Sequence, residues 1–206
     1  MKRRTGRILF ATTVAAMALL APAGPASAGV LSQSAGDCPA TAASAVFSKW
    51  LDPFKYSLGP SGAFESASGL SLTGGARILS GNESSYVHST ADRRSLLLPR
   101  GATATTQAMC VGLDHPTVRF FAKRPSFALL PLMTVEGVYT DKAGATRSLP
   151  FVGVPVAGGG WSLQLPFVAT GALLELGDHT MMRFRFRAVA GDWQIDDFYV
   201  DPWRCG

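Results

Sequence analysis

Apolar and polar positions alternate with a period of two along much of this chain, and helical periodicity is almost absent. The clearest stretch is Met182-Arg183-Phe184-Arg185-Phe186-Arg187. In an extended strand successive side chains point to opposite faces, so Phe184 and Phe186 are expected in the core. Arg183, Arg185 and Arg187 then line the other face. Alternation or β-branched enrichment predicts further strands over 70–78, 86–88, 95–98, 103–111, 118–122, 132–140, 146–152, 161–167 and 193–200, with 181–189 as the arginine strand. Turn signals separate them: Gly74-Gly75, Gly81-Asn82, Pro99-Arg100-Gly101, the Asp141 to Gly144 segment, Gly158-Gly159-Gly160, Gly177-Asp178 and Gly191-Asp192. About ten short strands at this spacing predict one all-β domain, a β-sandwich or jelly roll. Ahead of them, 43–51 is expected to form a short helical turn packing Val46, Phe47 and Trp50, with Asp52-Pro53 as its stop.

The N-terminus follows a different pattern. Lys2, Arg3, Arg4 and Arg7 precede an apolar run over 8–21, a Pro/Gly break and the small-residue triplet Ala26-Ser27-Ala28. That order predicts a secretory signal peptide over 1–28, cleaved after Ala28. The run is 14 residues, short of the roughly 20 needed to span a bilayer. The expected organisation is a signal at 1–28, a leader with the short helix at 29–58, and a β-sandwich at 59–206. The expected location is secreted or associated with the cell envelope, with no transmembrane segment in the mature chain.

Cleavage changes the charge. The formal +5 falls to about +1, because four of the 19 basic residues leave with the signal while all 14 acids stay. A basic partner-binding surface for nucleic acid is therefore not expected. The scarcity of lysine beside arginine, with Asn82 the only asparagine, suggests a high-GC bacterial source. Cys38, Cys110 and Cys205 would meet an oxidising compartment, giving one disulfide and one remaining thiol. Cys38 could pair with Cys110 or with Cys205, and spacing alone does not choose.

No catalytic set stands out. His88, His115 and His179 lack zinc-protease spacing, and Ser61 misses a nucleophile elbow by one position. Glu65 with Asp196, or Glu83 with Asp197, could serve as a glycosidase carboxylate pair. The sequon Asn82-Glu83-Ser84 reads as a turn. One feature does ask for an explanation: three acids, Asp196, Asp197 and Asp201, share the final strand, an element in which acids are depleted.

Two motifs carry a family resemblance. Gly62-Ala63-Phe64-Glu65, running into Leu70-Ser71-Leu72, resembles the opening strand of galactose-binding-like jelly rolls. Ile195-Asp196-Asp197-Phe198-Tyr199-Val200 resembles their closing strand. The chain is also similar to a group of uncharacterised exported bacterial proteins, through Trp50-Leu51-Asp52-Pro53, Gly81-Asn82-Glu83, Arg94 to Pro99, Cys110-Val111, Arg119 to Ala122 and the Trp193 to Pro202 tail. The resemblance implies a carbohydrate-binding jelly roll with a structural calcium ion linking its first and last strands. Carried over residue by residue, the ligands would be Glu65 and Asp196, with Asp92 a looser third. Leu70 stands where that family usually has tryptophan.

A glycan-binding module needs exposed aromatics to stack on sugar rings. Trp161 is the first choice, with Tyr86, Tyr139 and Trp193 beside it, and the arginine stripe could grip anionic polymer groups. The leading expectation is an exported, non-enzymatic binding module for extracellular glycan or cell-wall polymer. A structural envelope protein that packs against protein partners is the alternative, and a two-carboxylate hydrolase the third reading.

Overall fold

The computed structural model describes residues 38, 41–112, 117–126, 131–152, 158–169 and 179–201. The signal peptide, most of the leader before residue 41, His115, the Gly177-Asp178 turn and Cys205 lie outside the described residues. Among the described residues there are twelve strands: β1 (Ser57–Leu58), β2 (Ser71–Thr73), β3 (Arg77–Ser80), β4 (Arg94–Leu98), β5 (Thr103–Gly112), β6 (Thr117–Lys123), β7 (Leu132–Thr140), β8 (Thr146–Val152), β9 (Ser162–Leu163), β10 (Phe167–Ala169), β11 (His179–Ala190) and β12 (Trp193–Asp201). All pair antiparallel, in the order β2-β5-β11-β7-β8-β10-β6-β12-β4-β3, with β1 added on β12 and β9 on β6.

This path doubles back at β10, which pairs with β8 on one side and β6 on the other. The result is a jelly-roll sandwich, whose front leaf is β2-β5-β11-β7-β8 and whose back leaf is centred on β6, β12 and β4. Side chains from the two leaves meet face to face. Phe184 and Phe186 of β11 stack on Phe198 of β12 at 5.1 and 5.0 Å between ring centroids, and Phe120 of β6 meets Phe186 at 5.5 Å. These edge-on geometries suit aromatic quadrupoles and add to the burial term. Met182, Phe184, Phe186 and Ala188 all point inward, as their alternation predicts.

The two leaves differ on their outer sides. A small second core of Phe47, Tyr56, Phe121 and Tyr199 lies on the back leaf, with Val46, Trp50 and Trp161 packed against it. The N-terminal segment thus covers that leaf, and all nine residues of β12 are buried. Under this cover Arg119 of β6 pairs with Asp52, which also accepts a hydrogen bond from the Tyr56 hydroxyl at 2.8 Å. Burial, followed by the Asp52 acceptor, pushes the Tyr56 phenol far up. The front leaf keeps its outer face, and there β11 alternates buried and accessible positions along its length.

The bracketing motifs meet physically. Asp196 and Tyr199 flank a register shift in the β6–β12 ladder, and within it Asp197 sits in the left-handed region at φ 46°. Phe198 donates its amide to the Gly62 carbonyl at 2.9 Å and accepts from the Gly59 amide at 2.9 Å. A Cβ on Gly62 would lie 2.3 Å from the Phe198 carbonyl oxygen, so only glycine fits there. Cys38 is bonded to Cys110 of β5, at 5.8 Å between Cα atoms, and this ties the leader to the front leaf.

Several local expectations are corrected. Residues 43–51 form only a three-residue 3₁₀ turn, Ser48–Trp50, because Ser44 is taken into a bridge with Tyr56 and Leu51 turns left-handed at φ 62°. The 70–78 segment is two strands separated by Gly74-Gly75. The 161–167 segment also splits, into β9 and β10, around Gln164 to Pro166. Gln164 donates its amide to Phe120 and gives its carbonyl to Arg119, and Pro166 has no amide to offer a ladder. Residues 86–88 form no strand. Their amides are claimed by carboxylates: Val87 N donates to Glu83 Oε1 at 2.7 Å and His88 N to Asp197 Oδ2 at 2.9 Å.

Candidate functional site

The open outer face of the front leaf is set by strand register. Arg183 lies beside Val138 of β7 and Ala108 of β5, Arg185 beside Glu136 and Thr105, and Arg187 beside Thr134 and Thr103. Thr105 and Thr103 in turn face Ser71 and Thr73 of β2. The surface is therefore a band of hydroxyls with three guanidinium groups along its centre. Arg185 makes a 3.3 Å ion pair with Glu136. Among the described residues Arg183 and Arg187 have no ion-pair partner, and both are exposed. At one end of the band a depression of about 170 Å³ is lined by Ala108, Val138, Tyr139, Thr140, Thr146, Met181 and Arg183. Two of the expected binding residues, Arg183 and Tyr139, come together in it.

The aromatic expectations fare differently. Tyr139 is 8% exposed and belongs to the core, so it offers an edge of the depression's wall in place of a stacking platform. Burial pushes its phenol up. Trp193 is fully buried, its Nε1 donating to the Ala190 carbonyl at 3.1 Å. Trp161 is half-buried on the back leaf, with the Lys123 ammonium 4.6 Å from its ring centroid. Tyr86 is exposed, at φ 50° in the loop between β3 and β4. Tyr139 thus lines the front-leaf depression, whereas Trp161 packs against the second core on the back leaf, as does Val87 beside Tyr86. Met181, 48% exposed, is a lining residue that sequence reasoning missed. Its place next to Arg183 in the alternation was the available signal.

A second cluster surrounds the acids of β12. Residues 81–93 form a loop closed by the Gly81 amide on the Arg93 carbonyl at 2.7 Å. It folds over Asp196 and Asp197. Asp196 Oδ2 accepts the Glu83 amide at 2.8 Å, and Oδ1 accepts the Asp197 amide at 2.9 Å. Glu83 is itself fully buried, with its carboxylate on the Ser85 and Val87 amides. His88 Nδ1 lies 2.7 Å from Asp92 Oδ2. Burial raises Asp196 to about 8 and Asp197 to about 6, with neighbouring carboxylates adding to the rise. The same burial, then Asp197, Asp92 and Glu83, pushes the Tyr199 phenol far up.

This arrangement bears on two expectations. The carboxylate pairs Glu65/Asp196 and Glu83/Asp197 each contain a fully buried member, so neither pair opens onto a bond a substrate could present. The calcium ion implied by the resemblance would use Glu65, Asp196 and Asp92, and those donors do not fit it. Glu65 Oε1 accepts the Arg93 and Arg94 amides, at 2.8 Å each, and both oxygens of Asp196 are engaged by amides. Among the described residues the donors close enough to share an ion are those of His88, Asp92 and Asp197, all within 4.8 Å of one another. The signal available in sequence was the spacing of four between His88 and Asp92. The third member comes from a strand more than a hundred residues away.

No protein-family model matches the chain, and a comparison with curated proteins finds no match. Solved structures do align with it. One is the CBM22-1 xylan-binding domain from Paenibacillus barcinonensis Xyn10C, at 12% identity and TM-score 0.45, covering 67% of this chain and 89% of that one. Another is the C-terminal family 22 carbohydrate binding module of Clostridium thermocellum Xyn10B, at 16% identity and TM-score 0.46, covering 67% and 88%. A third is TmCBM61, solved with β-1,4-galactotriose, at 18% identity and TM-score 0.37, covering 69% and 95%. At such identities and scores no ligand and no residue role transfers.

Proposed function

We propose that this chain is an exported, non-enzymatic binding module whose open front face grips a glycan or cell-wall polymer bearing anionic groups. The observation that carries the reading is the place of exposed Arg183, without an ion-pair partner among the described residues, in the depression lined by Tyr139, Thr140, Thr146 and Met181. A guanidinium fork binds carboxylate or phosphate bidentately, and hydroxyl-bearing neighbours suit the hydroxyl groups of a sugar. Exposed Arg187 further along the strand would engage a second charge on the same polymer. Export would follow from cleavage after Ala28, which puts this face in contact with extracellular polymers.

The test is calorimetric titration of the purified mature chain with polygalacturonate and, in parallel, neutral xylan. Binding to the anionic polymer should weaken about 10- to 100-fold in Arg183→Ala, the range of one hydrogen bond to a charged group. It should also fall steeply as salt is raised. Salt-insensitive binding, or an Arg183→Ala variant that binds as tightly as the parent, would refute the reading.

A further inference from the structure

The structure assigns a metal site to His88, Asp92 and Asp197, one that takes a zinc-class divalent ion and differs from the calcium set implied by the family resemblance. Its donor atoms, one per residue, lie within 4.8 Å of one another. Zinc bonds to imidazole nitrogen and carboxylate oxygen of about 2.0–2.2 Å require ligand separations of about 3–4 Å, so a small rearrangement, in which an ion replaces the 2.7 Å contact of His88 Nδ1 with Asp92 Oδ2, forms the site.

A separate observation points to a missing partner. Asp197 is fully buried, and its Oδ1 has no hydrogen-bond partner, although Oδ2 holds the His88 amide. A buried carboxylate oxygen left unsatisfied is costly and calls for a donor or a cation. Charge makes the same demand. Glu83, Asp92, Asp196 and Asp197 are all buried, and among the described residues none of them pairs with a lysine or arginine. Among the described residues His88 is the basic side chain that pairs with them.

Donor chemistry selects the ion. Calcium takes six to eight oxygen ligands, whereas the side chains that converge here offer one imidazole nitrogen and two carboxylates. One imidazole with two carboxylates suits zinc and its neighbours. The His88 side chain is 37% exposed, which gives an ion a route in, and three protein ligands leave a position for water. The ion would pin the 81–93 loop onto the β12 bulge.

The test uses the full mature chain in a Cys205→Ser background, so that the third cysteine does not compete, stripped with EDTA and titrated with zinc or calcium. Zinc should bind with one-to-one stoichiometry and raise Tm, and cobalt should give the visible band of a nitrogen/oxygen site. His88→Ala and Asp197→Asn should each weaken zinc about 100-fold, because each removes one of three ligands. Zinc affinity unchanged in His88→Ala, or calcium bound more tightly than zinc, would overturn the assignment. Polymer binding on the front face is a separate readout, and loss of either leaves the other standing.

Discussion

Replacing Asp52 by asparagine should unfold this protein at a markedly lower temperature. The Arg119 guanidinium beneath the N-terminal segment has a side chain only 7% exposed. Its Nε and Nη2 donate to the Gln164 carbonyl at 3.1 and 3.0 Å, it lies 5.0 Å from the Phe47 ring centroid, and its charge is met by Asp52. Asparagine keeps the shape and can still accept the Phe54 amide, now 3.1 Å from Oδ1. It cannot neutralise the guanidinium, and its amide group turns a donor toward both Arg119 and the Tyr56 hydroxyl. Breaking a buried pair from one side costs about 3–5 kcal/mol. At about 2–4 °C per kcal/mol for a domain of this size, Tm should fall by about 6–20 °C. Calorimetry and urea unfolding should agree, with the urea slope unchanged and only the midpoint moved. Removing both charges in Asp52→Asn/Arg119→Met should recover most of the loss, since no buried charge is then left alone. A single variant that loses less than about 1 kcal/mol, or a double variant no better than the single, would refute the account.

Gly62→Ala should cost about 1–3 kcal/mol or more, because its Cβ meets the Phe198 carbonyl oxygen at 2.3 Å, whereas Gly160→Ala, with nothing within 4 Å, should be near neutral in the same melts. Cys110→Ala should lower stability by about 4 kcal/mol, the chain-entropy value for a loop of 72 residues, read as a lower urea midpoint. Asp141 is held below its ordinary 3.8, first by the Arg147 guanidinium at 2.8 Å and then by the Ala145 amide. A lowered carboxylate stabilises above the unfolded value and loses that contribution as pH falls through the folded one. Asp141→Asn should therefore be less stable than the parent at pH 7 and converge with it below about pH 4; a gap that persists in acid would contradict this.

The front face was legible because its pattern is local. The alternation of Met182 to Arg187 places three arginines on one side of β11, and any antiparallel neighbours would leave them there. Turn residues likewise marked most strand ends within a residue or two. The 86–88 segment was not legible, since its β-like composition competes with side-chain acceptors supplied by Glu83 and by distant Asp197. Tyr139 and Trp193 look like binding aromatics in one dimension, and only the packing of the leaves shows that they are buried. The acids of β12 looked anomalous in sequence for a sound reason, yet their partners could not be read from it.

What the sequence by itself determined is the set of periodic and covalently local features: an all-β chain, the arginine stripe, the turn positions and a basic, apolar N-terminal run. Tertiary structure decided the rest. It chose which leaf is covered, by laying Phe47 and Tyr56 on β6 and β12. It brought Asp92 and His88 to Asp197 through a bulge at φ 46°, while Glu65 was drawn instead to the amides of Arg93 and Arg94. The physical reason is range. Strand alternation is set by neighbours along the chain, whereas convergence of buried donors depends on contacts across about a hundred residues, which no local period encodes.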